Sequence, residues 1–152
     1  RLGGGEESAV GIGILLAGGI GDPFRVSVTH DPVRGGEVAW QILAALDLRR
    51  RGPEIISCPT CGRTEIDLIA LAQAVETRLA AVPDHFTVAV MGCVVNGPGE
   101  AREADVGIAG GKGKGILFRK GEVTGSVTGD SAALLDALMR EIDSMLAARR
   151  PL

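Results

Sequence analysis

Three cysteines, the only ones in the chain, lie in two short segments rich in glycine and proline. Cys58 and Cys61 belong to the segment CPTCGR, and Cys93 opens the segment CVVNGPGE, which ends at Glu100. Three thiolates can hold an iron–sulfur cluster while leaving one iron without a thiol ligand. Because such an iron can bind substrate, the cysteine count predicts a redox catalyst rather than a simple electron carrier.

The same thiols have other possible uses. Cys58 and Cys61, spaced as CxxC, could bind one metal ion, form a thioredoxin-like redox disulfide, or be small buried residues. A zinc site that also used Cys93 would need a fourth ligand. Glu100 is a candidate for a fourth ligand, because a carboxylate is a harder donor than a thiolate and leaves an iron more readily. Its alternative is a solvated loop glutamate.

Composition narrows the class of protein. The net charge of −3 argues against bulk binding to nucleic acid, which needs a basic surface. No stretch reaches the ~18–20 apolar residues of a membrane span. An odd number of cysteines without a targeting segment indicates a reducing compartment, so we expect a cytoplasmic protein. Hydrophobic residues make up 45% of the chain but aromatic residues only 3%, which predicts an aliphatic core.

Hydrophobic periodicity predicts the elements that position the two segments. Alternating or buried-type patterns predict strands at 24–29, 54–57, 86–91, 105–109, 116–119 and 123–127. Helical spacing predicts helices at 9–17 and 34–48, a third that Thr64 caps and that runs to 82, and a last one that Asp130 or Ser131 caps. Strands that alternate with helices indicate an α/β domain.

Both cysteine segments follow predicted strands, at the sheet edge where ligands collect in α/β folds. A basic run at 49–51, followed by Gly-Pro, marks a candidate domain boundary. The segment GGKGKG at 110–115 could cradle a phosphate, but it lacks Walker A spacing and fits a hairpin with solvated lysines better. His85 is expected at the surface, about 20 Å along the strand from Cys93, and His30 in a loop.

Taken together, the segments ISCPTCGR at 56–63 and GCVVNGPGEA at 92–101 resemble the cluster motifs of the 4-hydroxy-3-methylbut-2-enyl diphosphate synthases. Further stretches fit this family: EIDLI at 65–69, READVGIAG at 102–110, FRKG at 118–121 and, upstream, GIGD at 19–22, RVS at 25–27 and DP at 31–32. The resemblance covers nearly the whole chain. It departs from the family at Glu7, where a lysine is usual, and at Gly18, where a glutamate is frequent.

The resemblance implies a [4Fe–4S] cluster held by Cys58, Cys61, Cys93 and Glu100, with Glu100 also catalytic. It implies reductive ring opening of 2-C-methyl-D-erythritol 2,4-cyclodiphosphate, a step of the methylerythritol phosphate route to isoprenoids. Flavodoxin or ferredoxin would supply the electrons. Asn96 is a candidate for orienting the substrate, with simple turn geometry as its alternative, and Ser8 is a candidate for a diphosphate contact.

The resemblance also implies a domain organisation. Residues 1–52 would be the end of a TIM barrel, and residues 53–152 a sulfite-reductase-like α/β domain that binds the cluster. In the family, the barrel of one subunit meets the cluster domain of its partner in a homodimer. Because most of the barrel is missing, we expect this chain to be a fragment that does not turn over substrate alone.

Overall fold

The computed structural model describes residues 4–29 and 32–149, and the chain divides into two compact units between Arg51 and Gly52. The first unit contains helices α1 (Gly5–Ala17) and α2 (Pro32–Ala45), which contact each other. The second contains strands β1 (Glu54–Ser57), β2 (Thr87–Met91), β3 (Val106–Gly111), β4 (Lys114–Arg119) and β5 (Glu122–Thr128), with helices α3 (Leu68–Leu79), α4 (Gly97–Glu100) and α5 (Ser131–Arg149). The assignment of residues 1–52 and 53–152 to two domains stays a prediction.

The predicted strand at 24–29 is wrong. Side chains in this segment do alternate between partly buried and exposed, as the sequence pattern requires, but the backbone joins no ladder. A strand needs a neighbouring strand to accept and donate its backbone hydrogen bonds. The described part of the first unit consists of two helices and their connections, so it offers no such neighbour.

The second unit is built on one mixed sheet with the strand order β1-β2-β3-β4-β5. Strands β1, β2 and β3 are parallel, with Ser57 opposite Val90 and Met91 opposite Ala109. Strands β4 and β5 continue the sheet as antiparallel hairpins. The predicted α/β class is therefore confirmed, and all five strands predicted for this unit are present with end shifts of no more than two residues.

The two faces of the sheet carry side chains of different size. Val88 and Val90 of β2 face a large aliphatic core that includes α3 and α5. Ala89 and Met91, which alternate with them, face a smaller core that includes Ala109 and Phe118. The small residues on this second face leave room for α4 to lie against β3.

The four predicted helices are present, but their ends differ from the prediction by up to four residues. Helix α3 begins at Leu68, and the Asp67 carboxylate caps it by accepting a hydrogen bond from the Ala70 amide at 3.1 Å. Thr64, the predicted cap, lies three residues too early. Asp130 does cap α5, by accepting from the Ala133 amide at 3.0 Å.

Within the described residues, no helix combines the length and the apolar character that crossing a bilayer requires.

Candidate functional site

The two cysteine segments come together at one edge of the sheet. Cys58 directly follows β1, and Cys93 follows β2 after a single intervening glycine. Since β1 and β2 are adjacent and parallel, their carboxyl ends meet at the same edge. The predicted convergence of the two segments is confirmed.

Cys58 is anchored at the base of this edge. Its side chain is partly buried and packs against the cores on both faces of the sheet. Its sulfur accepts a hydrogen bond from the Gly92 amide at 3.3 Å. The thiol of the first segment is therefore tied directly to the residue that precedes Cys93.

Cys61 lies in a different environment, exposed to solvent. The pKa of its thiol is lowered, chiefly by the backbone N–H of Arg63, then by the guanidinium of Arg63 and the hydroxyl of Thr64. The Thr64 hydroxyl oxygen also accepts a hydrogen bond from the Cys61 amide at 3.1 Å. These donors favour the thiolate, which is the form that binds metals.

The second segment folds into consecutive helical turns. The Gly97 amide donates to the Cys93 carbonyl at 3.2 Å, and the Glu100 amide donates to the Asn96 carbonyl at 2.9 Å. Gly97 is buried, and a Cβ there would lie 2.8 Å from the Cβ atoms of both Ala109 and Met91. Only glycine allows the segment to lie this close to the sheet. The Glu100 side chain is exposed at the end of α4.

Side chains and backbone groups join the two segments to each other. With its amide oxygen turned toward Arg63, Asn96 accepts hydrogen bonds from Nη1 at 2.7 Å and from Nη2 at 3.2 Å. The Glu65 amide donates to the Gly92 carbonyl at 3.0 Å. The Glu65 carboxylate in turn accepts from the Lys112 amide at 3.3 Å, which brings the β3–β4 hairpin to the same edge.

Arg63 is the functional candidate that sequence reasoning missed. It stands two residues after Cys61 inside the quoted motif, but nothing in the spacing shows that its guanidinium reaches a residue 33 positions later. The available signal was an arginine beside the cysteine pair of the first segment, together with an amide side chain in the second segment. Asn96, which was considered for substrate orientation or turn geometry, has its oxygen engaged by this guanidinium.

The donor atoms as placed do not surround a single ion. Across residues 4–29 and 32–149, no three His, Cys, Asp or Glu side chains lie close enough together to hold a metal ion. All three cysteines are free thiols. A four-iron cluster binds each ligand to a different iron, so its ligands lie further apart than those of one zinc. Three thiols and a carboxylate on two joined loops fit the chemistry of such a group, and the complete coordination stays a prediction.

The remaining candidates lie elsewhere. Ser8 is a partly buried residue of α1 in the first unit, and its substrate role stays a prediction. His85 precedes β2, at the end opposite Cys93, where its Nδ1 lies 3.0 Å from the Gly52 carbonyl oxygen. His30 falls outside the described residues. The glycine-rich segment at 110–115 forms the β3–β4 hairpin, so the hairpin interpretation is confirmed.

Comparison with known proteins identifies the family. The sequence profile described as the GcpE protein C-terminal domain matches residues 54–144. The chain belongs to this family. The GcpE C-terminal match begins with β1 and includes both cysteine segments, so the resemblance inferred from those segments is confirmed.

Individual relatives of this GcpE C-terminal domain carry one name. A protein of Maridesulfovibrio salexigens named 4-hydroxy-3-methylbut-2-en-1-yl diphosphate synthase (flavodoxin) is 65% identical over 97% of this chain and 41% of its own length. Proteins with the same name from Nitratidesulfovibrio vulgaris and Geobacter sulfurreducens are 64% and 59% identical, over 98% and 94% of this chain and 38% and 40% of their own lengths. The chain therefore spans about two fifths of the length of these relatives.

Proposed function

We propose that this chain is the cluster-binding C-terminal part of a 4-hydroxy-3-methylbut-2-enyl diphosphate synthase. The observation that carries the proposal is the 65% identity to a synthase over 97% of the chain. The complete enzyme would reduce 2-C-methyl-D-erythritol 2,4-cyclodiphosphate with two electrons and two protons. It would open the ring to the allylic diphosphate and release one water, using flavodoxin or ferredoxin as the donor.

Cys58, Cys61, Cys93 and Glu100 would hold the [4Fe–4S] cluster. When bound, the cluster supplies one-electron transfer and a Lewis-acidic iron. The structure supports this set because the two segments share one sheet edge and are joined by the Gly92–Cys58 hydrogen bond. The lowered pKa of the Cys61 thiol, caused first by the Arg63 backbone N–H, favours the ligating thiolate.

Glu100 is the residue we propose to make way for substrate. As a carboxylate it is a harder donor than the three thiols, so it leaves iron more readily than a fourth cysteine would. Its side chain is exposed on a helix of four residues, where it can turn away without moving the buried part of the segment. Asn96 would then donate from its amide nitrogen to a substrate oxygen, and Ser8 would contact the diphosphate.

We further propose the wider assembly that the longer relatives imply. Residues 1–52 would complete a TIM barrel, and residues 53–152 would form the sulfite-reductase-like cluster domain of a cytoplasmic homodimer. The division between Arg51 and Gly52, and the start of the family match at residue 54, support this domain limit. Turnover would require the barrel as well as this chain.

The deciding experiment is anaerobic purification of this chain, followed by analysis of its iron, sulfide and zinc content. We expect a brown protein with about four iron and four sulfide per chain, and a loss of both in Cys93→Ser. A colourless protein with one zinc would replace the proposal with a structural zinc module. A metal-free protein with a reversible Cys58–Cys61 disulfide would replace it with dithiol exchange.

Glu100 is tested in the complete synthase that contains this domain. Glu100→Ala should retain most of the iron and lose turnover, because the thiols remain while the exchangeable ligand is gone. Glu103→Ala is the matched control, since Glu103 is an exposed glutamate three residues later. Turnover of Glu100→Ala at the level of Glu103→Ala would contradict the role assigned to Glu100.

A further inference from the structure

We propose that Arg63 is a positioning residue that holds the Asn96 amide, and with it the turn that carries Glu100, in one orientation. The inference deepens the proposed function, since it concerns the same site. Its basis is the contact between an arginine of the first cysteine segment and an amide of the second. The contact adds a side-chain link to the backbone hydrogen bonds that already join the two segments.

The contact fixes both the position of the Asn96 amide group and which of its two ends, oxygen or nitrogen, faces Arg63. The Asn96 oxygen has two lone pairs, and the two Nη atoms of Arg63 approach it at 2.7 Å and 3.2 Å. Because these donors engage the oxygen, the amide can offer a bound molecule only its N–H groups. Asn96 is thereby set to recognise a hydroxyl or phosphate oxygen as an acceptor, and to discriminate against a group that only donates.

The same residue controls the backbone of α4. The Asn96 carbonyl accepts the Glu100 amide, and the neighbouring Gly97 amide donates to the Cys93 carbonyl. Holding the Asn96 side chain therefore restrains the turn between Cys93 and Glu100. Arg63 acts through Asn96, which makes it a positioning residue rather than a catalytic one.

Arginine is suited to this task because its planar guanidinium presents two donors in a fixed geometry. Lysine offers a single ammonium on a flexible stem and cannot make the paired contact. Arg63 is exposed, so the variant Arg63→Gln should fold, and among the backbone amides its effect should be confined to the second segment.

Hydrogen exchange of the metal-free chain tests the restraint directly. In Arg63→Gln we expect the amides of Gly97, Glu100 and Ala101 to lose protection about ten-fold, as for loss of one charge-assisted hydrogen bond. The amides of β2 should be unchanged, and Arg63→Lys should fall between. Arg140→Gln, at an exposed arginine of α5, is the matched control. Unchanged α4 amides, or an equal loss in β2, would overturn the proposal.

A double-mutant cycle adds a second readout. If Arg63 acts through Asn96, the variant Arg63→Gln/Asn96→Ala should exchange at α4 no faster than Asn96→Ala alone. Additive effects would overturn the proposal. Both measurements are made without iron, so they do not depend on the proposed cluster. A chain that gives these results but binds no cluster would refute the proposed function without affecting the role of Arg63.

Discussion

A single methyl group at Gly97 should displace the turn that carries Glu100. The Cβ of Gly97→Ala would lie 2.8 Å from the Cβ atoms of Ala109 and Met91. Ordinary carbon contacts are about 3.5–4.0 Å, so the turn must move by roughly 1 Å. Neither neighbour can yield as a flexible chain end would, because both contacting atoms are attached directly to strand backbone. Overpacking of this kind costs about 1–3 kcal/mol.

Gly99 provides a control on the same helix. A Cβ at Gly99 meets nothing within 4 Å, so Gly99→Ala carries no steric penalty. Both substitutions reduce the conformational freedom of the unfolded chain, by up to about 1 kcal/mol. The difference between the two variants therefore isolates the contact, and we expect Gly97→Ala to be the less stable by about 1–3 kcal/mol.

Urea denaturation of the metal-free chain, followed by circular dichroism, measures this difference. Reconstitution with iron and sulfide tests whether the same displacement weakens cluster binding, because a displaced α4 moves Glu100 relative to Cys93. We expect Gly97→Ala to retain less iron than Gly99→Ala. Equal unfolding free energies in the two variants would refute the reasoning, since they would show that α4 does not pack closely against β2 and β3.

Three further predictions concern the surroundings of the site. Because the pKa of the Cys61 thiol is lowered, Cys61 of the metal-free chain should be alkylated at a lower pH than an ordinary thiol. Arg63→Gln should raise the pH midpoint of this alkylation, measured by mass spectrometry. The midpoint should stay below that of an ordinary thiol, because the Arg63 backbone N–H, which is the larger cause of the lowered pKa, remains. Asp67→Ala should lower the unfolding free energy by about 1 kcal/mol through loss of the α3 cap, with Asp67→Asn nearly neutral; equal losses would contradict capping. Asp105→Ala should lower the free energy of unfolding, measured in urea, by about 1–3 kcal/mol, because the Asp105 carboxylate accepts a hydrogen bond from the Thr87 amide at 2.9 Å. Asp105→Asn keeps an acceptor and should lower it less.

The second unit was largely predictable because its signals are local. Most of its strands are short apolar or alternating runs with glycine, proline or charged residues beside them, and helix α5 is long enough for its spacing to be unambiguous. The segment 24–29 shows where local signals end. Alternation reports which side chains become buried, but a ladder also requires a partner, and no pattern within six residues shows whether one exists.

The convergence of the two cysteine segments was predictable, but the side-chain contacts between them were not. The order of strand and cysteine segment was sufficient to place Cys58 and Cys93 at one edge. The Arg63–Asn96 contact could not be predicted in this way, because it depends on how far a side chain of one loop reaches toward the other loop and not on sequence spacing. The α3 cap failed for a related reason: Thr64 and Asp67 are both good capping residues, and the loop geometry assigns Thr64 to the Cys61 amide instead.

The mixed sheet has a consequence for the order of assembly. Strands β3, β4 and β5 follow one another through tight hairpins, so their pairing closes short loops and should form early. Pairing of β1 with β2 must wait for closure of the longer crossover through α3. The cysteine segments belong to this slower half. The three cysteines should therefore be among the last residues of the second unit to reach their final positions, so a group that all three bind together would be held only once the parallel half has formed.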